Sequence, residues 1–346
     1  MTEVSRKLLE GQVAIVSGAT RGAGRGIARM LGAAGATVYC TGRSGGGHAA
    51  TPGRIETIEE TAELVTREGG KGIAVRVDHT EESEVVELVS QVKVDQGRID
   101  ILVNDIWGGD SLVEWGKRFW EIDVSRLRTL FDRAVFSHLL TSRHVAPLMI
   151  PQGKGLIIEI TDGHTEGYRG QVIYDLIKIS NIRLGYAMAH DLVRDGVTAL
   201  SLTPGFLRSE AMLEIMGVTE ENWRDAIEKD PFFAESETPC FVGRAVVGLA
   251  TDPNVRSKAG LSFNATQLAR EYGFSDIDGR NPDFWRLFTE RMRERLDDPS
   301  PLEGMDHFNA WALYCQIHRE PMSKDLASQL AARLGFTGAG QGVLPR

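Results

Sequence analysis

Apolar runs rich in β-branched residues recur along the chain at 13–16, 37–40, 73–77, 99–103, 156–160 and 197–202. Between them lie stretches of roughly 15 to 40 residues with apolar positions at helical spacing, the pattern of parallel strands joined by crossover helices. The expected fold is α/β, a Rossmann-type doubly wound parallel sheet. A further run at 261–265 follows the helix-like 242–250 and would close one side of the sheet, giving about seven strands. Thr57 with Glu60 predicts a capping box for a helix ending near Gly69 and Gly70. The glycine-rich stretch 44–53 predicts a long loop straight after the second strand.

From Pro282 onward the pattern turns to helices alone. Trp285, Phe288 and Met292 share one face, then Phe308, Trp311 and Cys315, then Leu326, Leu330 and Leu334. The expected organisation is a domain over 1–281 that carries the sites, followed by a helical C-terminal extension over 282–346.

Composition narrows the function. A chain of 346 residues, 42% apolar and 25% charged, can bury a full core. Its net charge of −9 argues against a general nucleic-acid binder. Cys40, Cys240 and Cys315 lie far apart without paired spacing, so neither a disulfide framework nor a zinc ribbon is written, and a cytoplasmic setting is expected. There is no apolar signal core at the N-terminus and no uncharged apolar stretch of spanning length, so no membrane partner is expected. The histidines have no ligand-like grouping, and no metal is expected.

Gly18, Gly22 and Gly24 form a Gly-x-x-x-Gly-x-Gly turn between the first strand and the first helix. Glycines there allow a tight turn and close approach of a pyrophosphate, which the unpaired amides of the helix start can bind. The second strand ends at Thr41, Gly42 and Arg43 without the carboxylate that would accept from an unmodified ribose. Arg43, with Arg21 before the second motif glycine, would instead clamp a 2′-phosphate, so the expected cofactor is NADP(H) rather than NAD. Asp78, after the third strand, either accepts from the adenine amino group or forms an ordinary turn.

Tyr174 and Lys178 stand four apart in the helix-like 172–193 and therefore share a face. An ammonium beside a phenol favours phenolate, and such a pair can exchange a proton with an alcohol or carbonyl oxygen.

Together these residues resemble the short-chain dehydrogenase/reductase family over about 10–280: Gly18, Gly22 and Gly24; Asp78; Asn104 after the fourth strand; Tyr174 and Lys178; Pro204, Gly205 and Ser209 after the sixth. Within it, the stretch 249–280 is similar to the subgroup named dehydrogenase/reductase family member one. The resemblance implies that Tyr174 is the acid or base, and that Lys178 holds the nicotinamide ribose and lowers the phenol's pKa. Asn104 would border the adenosine ribose, Pro204 and Gly205 would shape the nicotinamide pocket, and Ser209 would reach the carboxamide. The implied reaction is hydride transfer between nicotinamide and a carbinol or carbonyl carbon.

Three positions depart from the family's pattern. No serine occurs between Ser142 and Ser180, and where one normally precedes the tyrosine stand Thr161 and Asp162. Thr161 can donate as a serine does and is the favoured substitute; an ionised Asp162 would raise the Tyr174 pKa, and a protonated one could donate. Ala134, with Asp132 nearby, stands where a helical asparagine is usual, and Asp105 replaces a second asparagine after Asn104. Trp107, Asp110, Trp115, Trp120, His164 and Tyr168 are candidates for the substrate entrance.

The expected protein is an NADP-dependent oxidoreductase acting on a small or medium organic ketone or alcohol, assembled as a homo-oligomer, dimer or tetramer. The alternatives are a redox-neutral dehydratase or epimerase on the same fold, and a non-catalytic dinucleotide sensor.

Overall fold

The computed structural model describes residues 7–164 and 169–297, the side chains of 292–297 apart. Seven parallel strands, β1 (Val13–Ser17), β2 (Thr37–Gly42), β3 (Lys71–Arg76), β4 (Ile101–Asn104), β5 (Gly155–Ile160), β6 (Val197–Thr203) and β7 (Ser262–Asn264), lie in the order β3-β2-β1-β4-β5-β6-β7. The expected strands all form, with ends moved by a residue or two; β3 starts early because Lys71 pairs with Thr37 at the foot of β2.

The helices are α1 (Gly22–Ala33), α2 (Ile58–Arg67), α3 (Glu82–Gln96), α4 (Val124–Phe131), α5 (Ser137–Met149), α6 (Val172–Leu192), α7 (Glu210–Met216), α8 (Pro239–Thr251), α9 (Ala265–Tyr272) and α10 (Phe284–Asp297). They cover both faces of the sheet, which is why the strands read as continuous apolar runs. Val16, Val38, Ile158 and Leu200 pack against α1, α2, α8 and α9. Ile15, Tyr39, Leu102, Ile157 and Ala199 pack against α3, α5 and α6.

One close approach governs the first layer. A Cβ on Gly26 of α1 would lie 1.9 Å from the Pro239 carbonyl oxygen, and one on Gly243 of α8 would lie 2.6 Å from the Gly26 carbonyl. Only glycine lets the two backbones touch there.

The Thr57 cap is half of the expected box. Its hydroxyl accepts from the Glu60 amide at 3.2 Å, but the Glu60 carboxylate turns to Arg25 at 2.6 Å. A full box caps α9, between Asn264 and Gln267.

Chain connections diverge between β1 and β4, which opens a crevice at the carboxyl ends of the strands. Near that end, α10 lays Phe284 and Phe288 on Phe232, while Trp285 meets His164 edge to face at 5.2 Å. The Met292 side chain and the apolar faces expected at 308–315 and 326–334 fall outside the described residues. No described helix is long and apolar enough to cross a membrane.

Candidate active site

The glycine turn sits at the mouth of the crevice. Gly18 (φ 87°) and Gly22 (φ 58°) take left-handed backbone. A Cβ on Gly18 would lie 2.4 Å from the Asp105 carbonyl, and one on Gly24 would lie 2.4 Å from the Gly18 carbonyl. The turn is thus closed on itself and on the loop after β4. The first turn of α1 contains no acidic side chain and Arg21 makes no side-chain cap, so its amides face the crevice needing an anion. The Gly22 amide donates to the Glu210 carboxylate at 2.8 Å, and Arg25 lies 3.7 Å from the same group. The Gly22 amide thus already donates to an anionic oxygen, as it would to a phosphate.

The arginines expected at the 2′-phosphate stand on either side of the loop after β4. Arg43 lies 3.9 Å from Asp78, and Arg21 lies 3.9 Å from Asp110. Arg133 joins them, donating to the Gly108 carbonyl at 3.0 Å, and the Arg43 charge helps push its pKa down after burial. Asp78 accepts from the amide and hydroxyl of Thr80 at 3.1 and 2.7 Å, a turn former in this structure. Burial pulls its pKa up, but these bonds and Arg43 leave it below the usual carboxylate value.

Asn104 is fully buried. Its amide nitrogen donates to Glu159 at 2.8 Å and Ser142 at 2.9 Å, which holds the end of β4 to β5 and α5. His138 lies 2.6 Å from Glu159 through Nδ1 and 2.9 Å from the Ile106 carbonyl through Nε2. His138 thus bridges the buried Glu159 side chain and the loop that follows β4. Next in the chain, Asp105 is buried against the Gly24 amide, and burial pushes its carboxyl up to about 7 against the pull of Lys178.

Gln171 caps α6 by accepting from the Tyr174 amide at 2.8 Å, which fixes the tyrosine in the first helical turn. The phenol is walled by Trp107 (5.4 Å, edge to face) and Trp115 (5.2 Å). The Lys178 ammonium stands 4.3 Å from the centre of the Trp107 ring and 5.4 Å from that of Tyr174. Trp107 is held by a 2.5 Å bond from its indole nitrogen to Asp110. Trp120 packs on Phe119 and stays exposed. Tyr168 lies outside the described residues.

Two expectations are corrected here. Thr161 does not face the phenol: it is buried and its hydroxyl donates to the Lys178 carbonyl at 2.7 Å, tying β5 to α6. The Tyr174 hydroxyl donates instead to Asp162 at 2.6 Å. The phenol is also not lowered. Burial first, then the Asp162 charge and hydrogen bond, raise Tyr174 well above the ordinary phenol value, with Arg169 opposing. Lys178 is itself lowered by burial, against the attraction of Asp162, Asp105 and Asp110.

Arg169, missed in the sequence, donates to the Asp162 and Gly163 carbonyls and pairs with Asp175 at 3.0 Å, shaping the strand exit. On the far wall, Pro204 and Gly205 follow β6, and the Gly205 amide donates to Glu237 at 2.9 Å. Glu237 is buried, and burial pushes it up to about 8. The Ser209 hydroxyl is taken up as the cap of α7, accepting from Met212 at 3.2 Å. Glu210 and Glu237 carried no sequence signal. Glu159 did, as a charge in the middle of an apolar run.

The pieces connect: Lys178 attracts Asp105, and Asp105 accepts from Gly24 of the turn. The Tyr174 and Lys178 pair therefore lies beside the anion-binding amides, and these residues fit a dinucleotide whose phosphates rest on α1. Arg43 and Arg133 would flank its adenosine end. Pro204 and Gly205 would border the other end.

Residues 12–216 match the short chain dehydrogenase family. The chain is 39% identical over 277 residues to Dehydrogenase/reductase SDR family member 1 of Mus musculus, covering 79% of this chain and 85% of the mouse protein. It is 27% identical over 209 residues to 7alpha-hydroxysteroid dehydrogenase of Escherichia coli (strain K12), covering 60% of this chain and 76% of that protein. A solved hydroxysteroid dehydrogenase from Escherichia coli superposes with a TM-score of 0.59 at 25% identity, covering 75% of this chain and 97% of that one. A dehydrogenase structure from Xanthomonas campestris shares the fold, with a TM-score of 0.66 at 21% identity over 80% of this chain and 95% of that one.

Proposed function

Since this chain belongs to the short chain dehydrogenase family, whose members are oxidoreductases using a nicotinamide cofactor, we propose that it is an NADP-dependent enzyme. Its reaction moves a hydride between the cofactor and the carbon of a small or medium organic ketone or alcohol. The observation that carries this reading is the Tyr174 ring and the Lys178 ammonium together against Trp107, next to the glycine turn. The bound nicotinamide supplies or accepts the hydride. Tyr174 moves the proton at the substrate oxygen, and Lys178 holds positive charge beside it. Asp162 sets the phenol's affinity for its proton, and Thr161 positions Lys178 through its carbonyl.

Tyr174→Phe removes the transferable proton and leaves the glycine turn untouched. Turnover should fall by at least about a hundredfold with NADPH affinity within about twofold, measured by kinetics and by cofactor fluorescence. Full activity in that variant would remove Tyr174 from the chemistry.

The choice of NADP is supported by three cations, Arg21, Arg43 and Arg133, around the loop after β4, where Asp110 and Asp78 lie 3.9 Å from Arg21 and Arg43. Arg43→Ala should raise the NADPH Kd by about tenfold or more and change NADH little. Equal losses for the two cofactors would refute recognition of the phosphate.

We read the protein as a homo-oligomer. Exposed Phe136 and Leu139 near α5, with Val172 and Leu176 on α6, support that reading. Its free buried thiols Cys40 and Cys240 support a reducing, cytoplasmic setting.

A further inference from the structure

We infer that the substrate carries a cationic nitrogen next to the reacting carbon: a 1,2-amino alcohol in one direction, an α-amino ketone in the other. The inference rests on the oxidoreductase reading and names its substrate class.

A ketone being reduced builds negative charge on oxygen, and a site made for a neutral ketone would aim two neutral donors at it. Here the second hydroxyl, Thr161, is spent on the Lys178 carbonyl. The position beside the phenol holds a carboxylate, 2.6 Å from the Tyr174 oxygen. Facing a neutral substrate, Asp162 repels the forming alkoxide and keeps the phenol's proton directed at itself.

A substrate ammonium reverses both effects. In a 1,2-amino alcohol with its heteroatoms gauche, nitrogen and oxygen stand about 3 Å apart. That separation matches the pair Tyr174 Oη and Asp162 Oδ2, so the oxygen can meet the phenol while the ammonium meets the carboxylate. Among the described residues, the Tyr174 hydroxyl is the one group hydrogen-bonded to the Asp162 carboxylate. Arg169 approaches Asp162 at its backbone carbonyl, and its guanidinium pairs with Asp175. Lys178 stands over Trp107 and attracts Asp162 through space, with no hydrogen bond between the two among the described contacts.

The walls suit a cation as well. Trp107 already carries an ammonium on its face, and Trp115 presents a half-exposed indole against Tyr174. Asp110, exposed at the rim, adds a second negative charge.

The chemistry balances. In reduction, hydride from the reduced nicotinamide bonds to the carbonyl carbon, and the C=O π pair moves onto oxygen. The phenol proton goes to that oxygen, and Tyr174 is reprotonated from solvent. With its charge met by the ammonium, Asp162 no longer competes for that proton.

The experiment compares 2-amino-1-phenylethanol with its uncharged isostere 1-phenylpropan-1-ol. Each is oxidised with NADP+ by the full chain, and each is titrated against the protein by tryptophan fluorescence without turnover. At pH 7 the amino alcohol should be preferred by about tenfold or more in kcat/KM and in Kd. In Asp162→Asn the cationic-to-neutral ratio should fall toward one, and in the unaltered enzyme it should fall as pH rises through the amine's own pKa. Turnover of both alcohols with a ratio near one overturns the inference and leaves the oxidoreductase reading standing. A large ratio unchanged in Asp162→Asn also overturns it. Preferential binding of the amine without turnover of either alcohol overturns the amino alcohol as the reacting substrate, while the Tyr174→Phe variant tests the oxidoreductase reading by itself.

Discussion

The Tyr174 hydroxyl has neighbours of both signs, and the anion is the nearer. A carboxylate at 2.6 Å holds the phenol's proton in place, and burial of the ring adds to the effect. Reduction consumes a protonated phenol and tolerates this, whereas oxidation of an uncharged alcohol needs phenolate and is pushed to alkaline pH. Asp162→Ser removes the charge, so the phenol's pKa should drop. The rising limb of kcat against pH for oxidation of a neutral alcohol should then move down by about one unit or more. An unmoved limb would mean that Asp162 does not govern the phenol. The choice between Thr161 and Asp162 was not legible in the sequence, and the reason is geometric. Beyond β5 successive side chains point to opposite sides, so one lies under α6 and the other faces the phenol. Which one does so depends on the strand exit, and Arg169 on the two following carbonyls helps set it.

At the scale of elements, α1 and α8 meet through glycine backbone. Gly26→Ala would drive a methyl into the Pro239 carbonyl and must part the helices. The expected loss is about 3 kcal/mol or more, seen as a lower urea midpoint with the m-value kept. A variant as stable as the parent would show that the crossing is looser than described. Strands, the glycine turn and the pairing of Tyr174 with Lys178 were readable because each rests on local periodicity. The helix crossing and the carboxylates on Gly22 and Gly205 were not, because they join segments remote in sequence; Glu210 reaches Gly22 across 188 positions. The end of β4 at Asn104 was legible, but the bond of its amide to the buried Glu159 was not, since it crosses from one strand to the next.

Across the whole molecule, buried ionisable groups set a pH window for stability. Glu237 rises from 4.5 to about 8 and Asp105 from 3.8 to about 7. Their contribution is complete below the unfolded values and is lost as pH rises through the folded ones, because the unfolded chain then binds fewer protons. His79, buried between Thr41 and Thr141, falls from 6.5 to about 3, so its contribution is complete above 6.5 and is lost as pH falls. Above pH 6.5 only the carboxyls of these three still change. Unfolding free energy should therefore decline from pH 6.5 to 8, and Glu237→Gln should flatten the decline; an unchanged slope in that variant would reject the assignment. Dinucleotide loading has a counterpart in the same crowded crevice. For a pyrophosphate to reach the Gly22 amide, the Glu210 carboxylate must let go of it. One anion is exchanged for another, and the departing one belongs to α7, whose preceding loop runs back to Pro204 and Gly205. A phosphate bound at the Gly22 amide would therefore free α7 from the glycine turn and loosen the join between the first helix and the segment that follows β6.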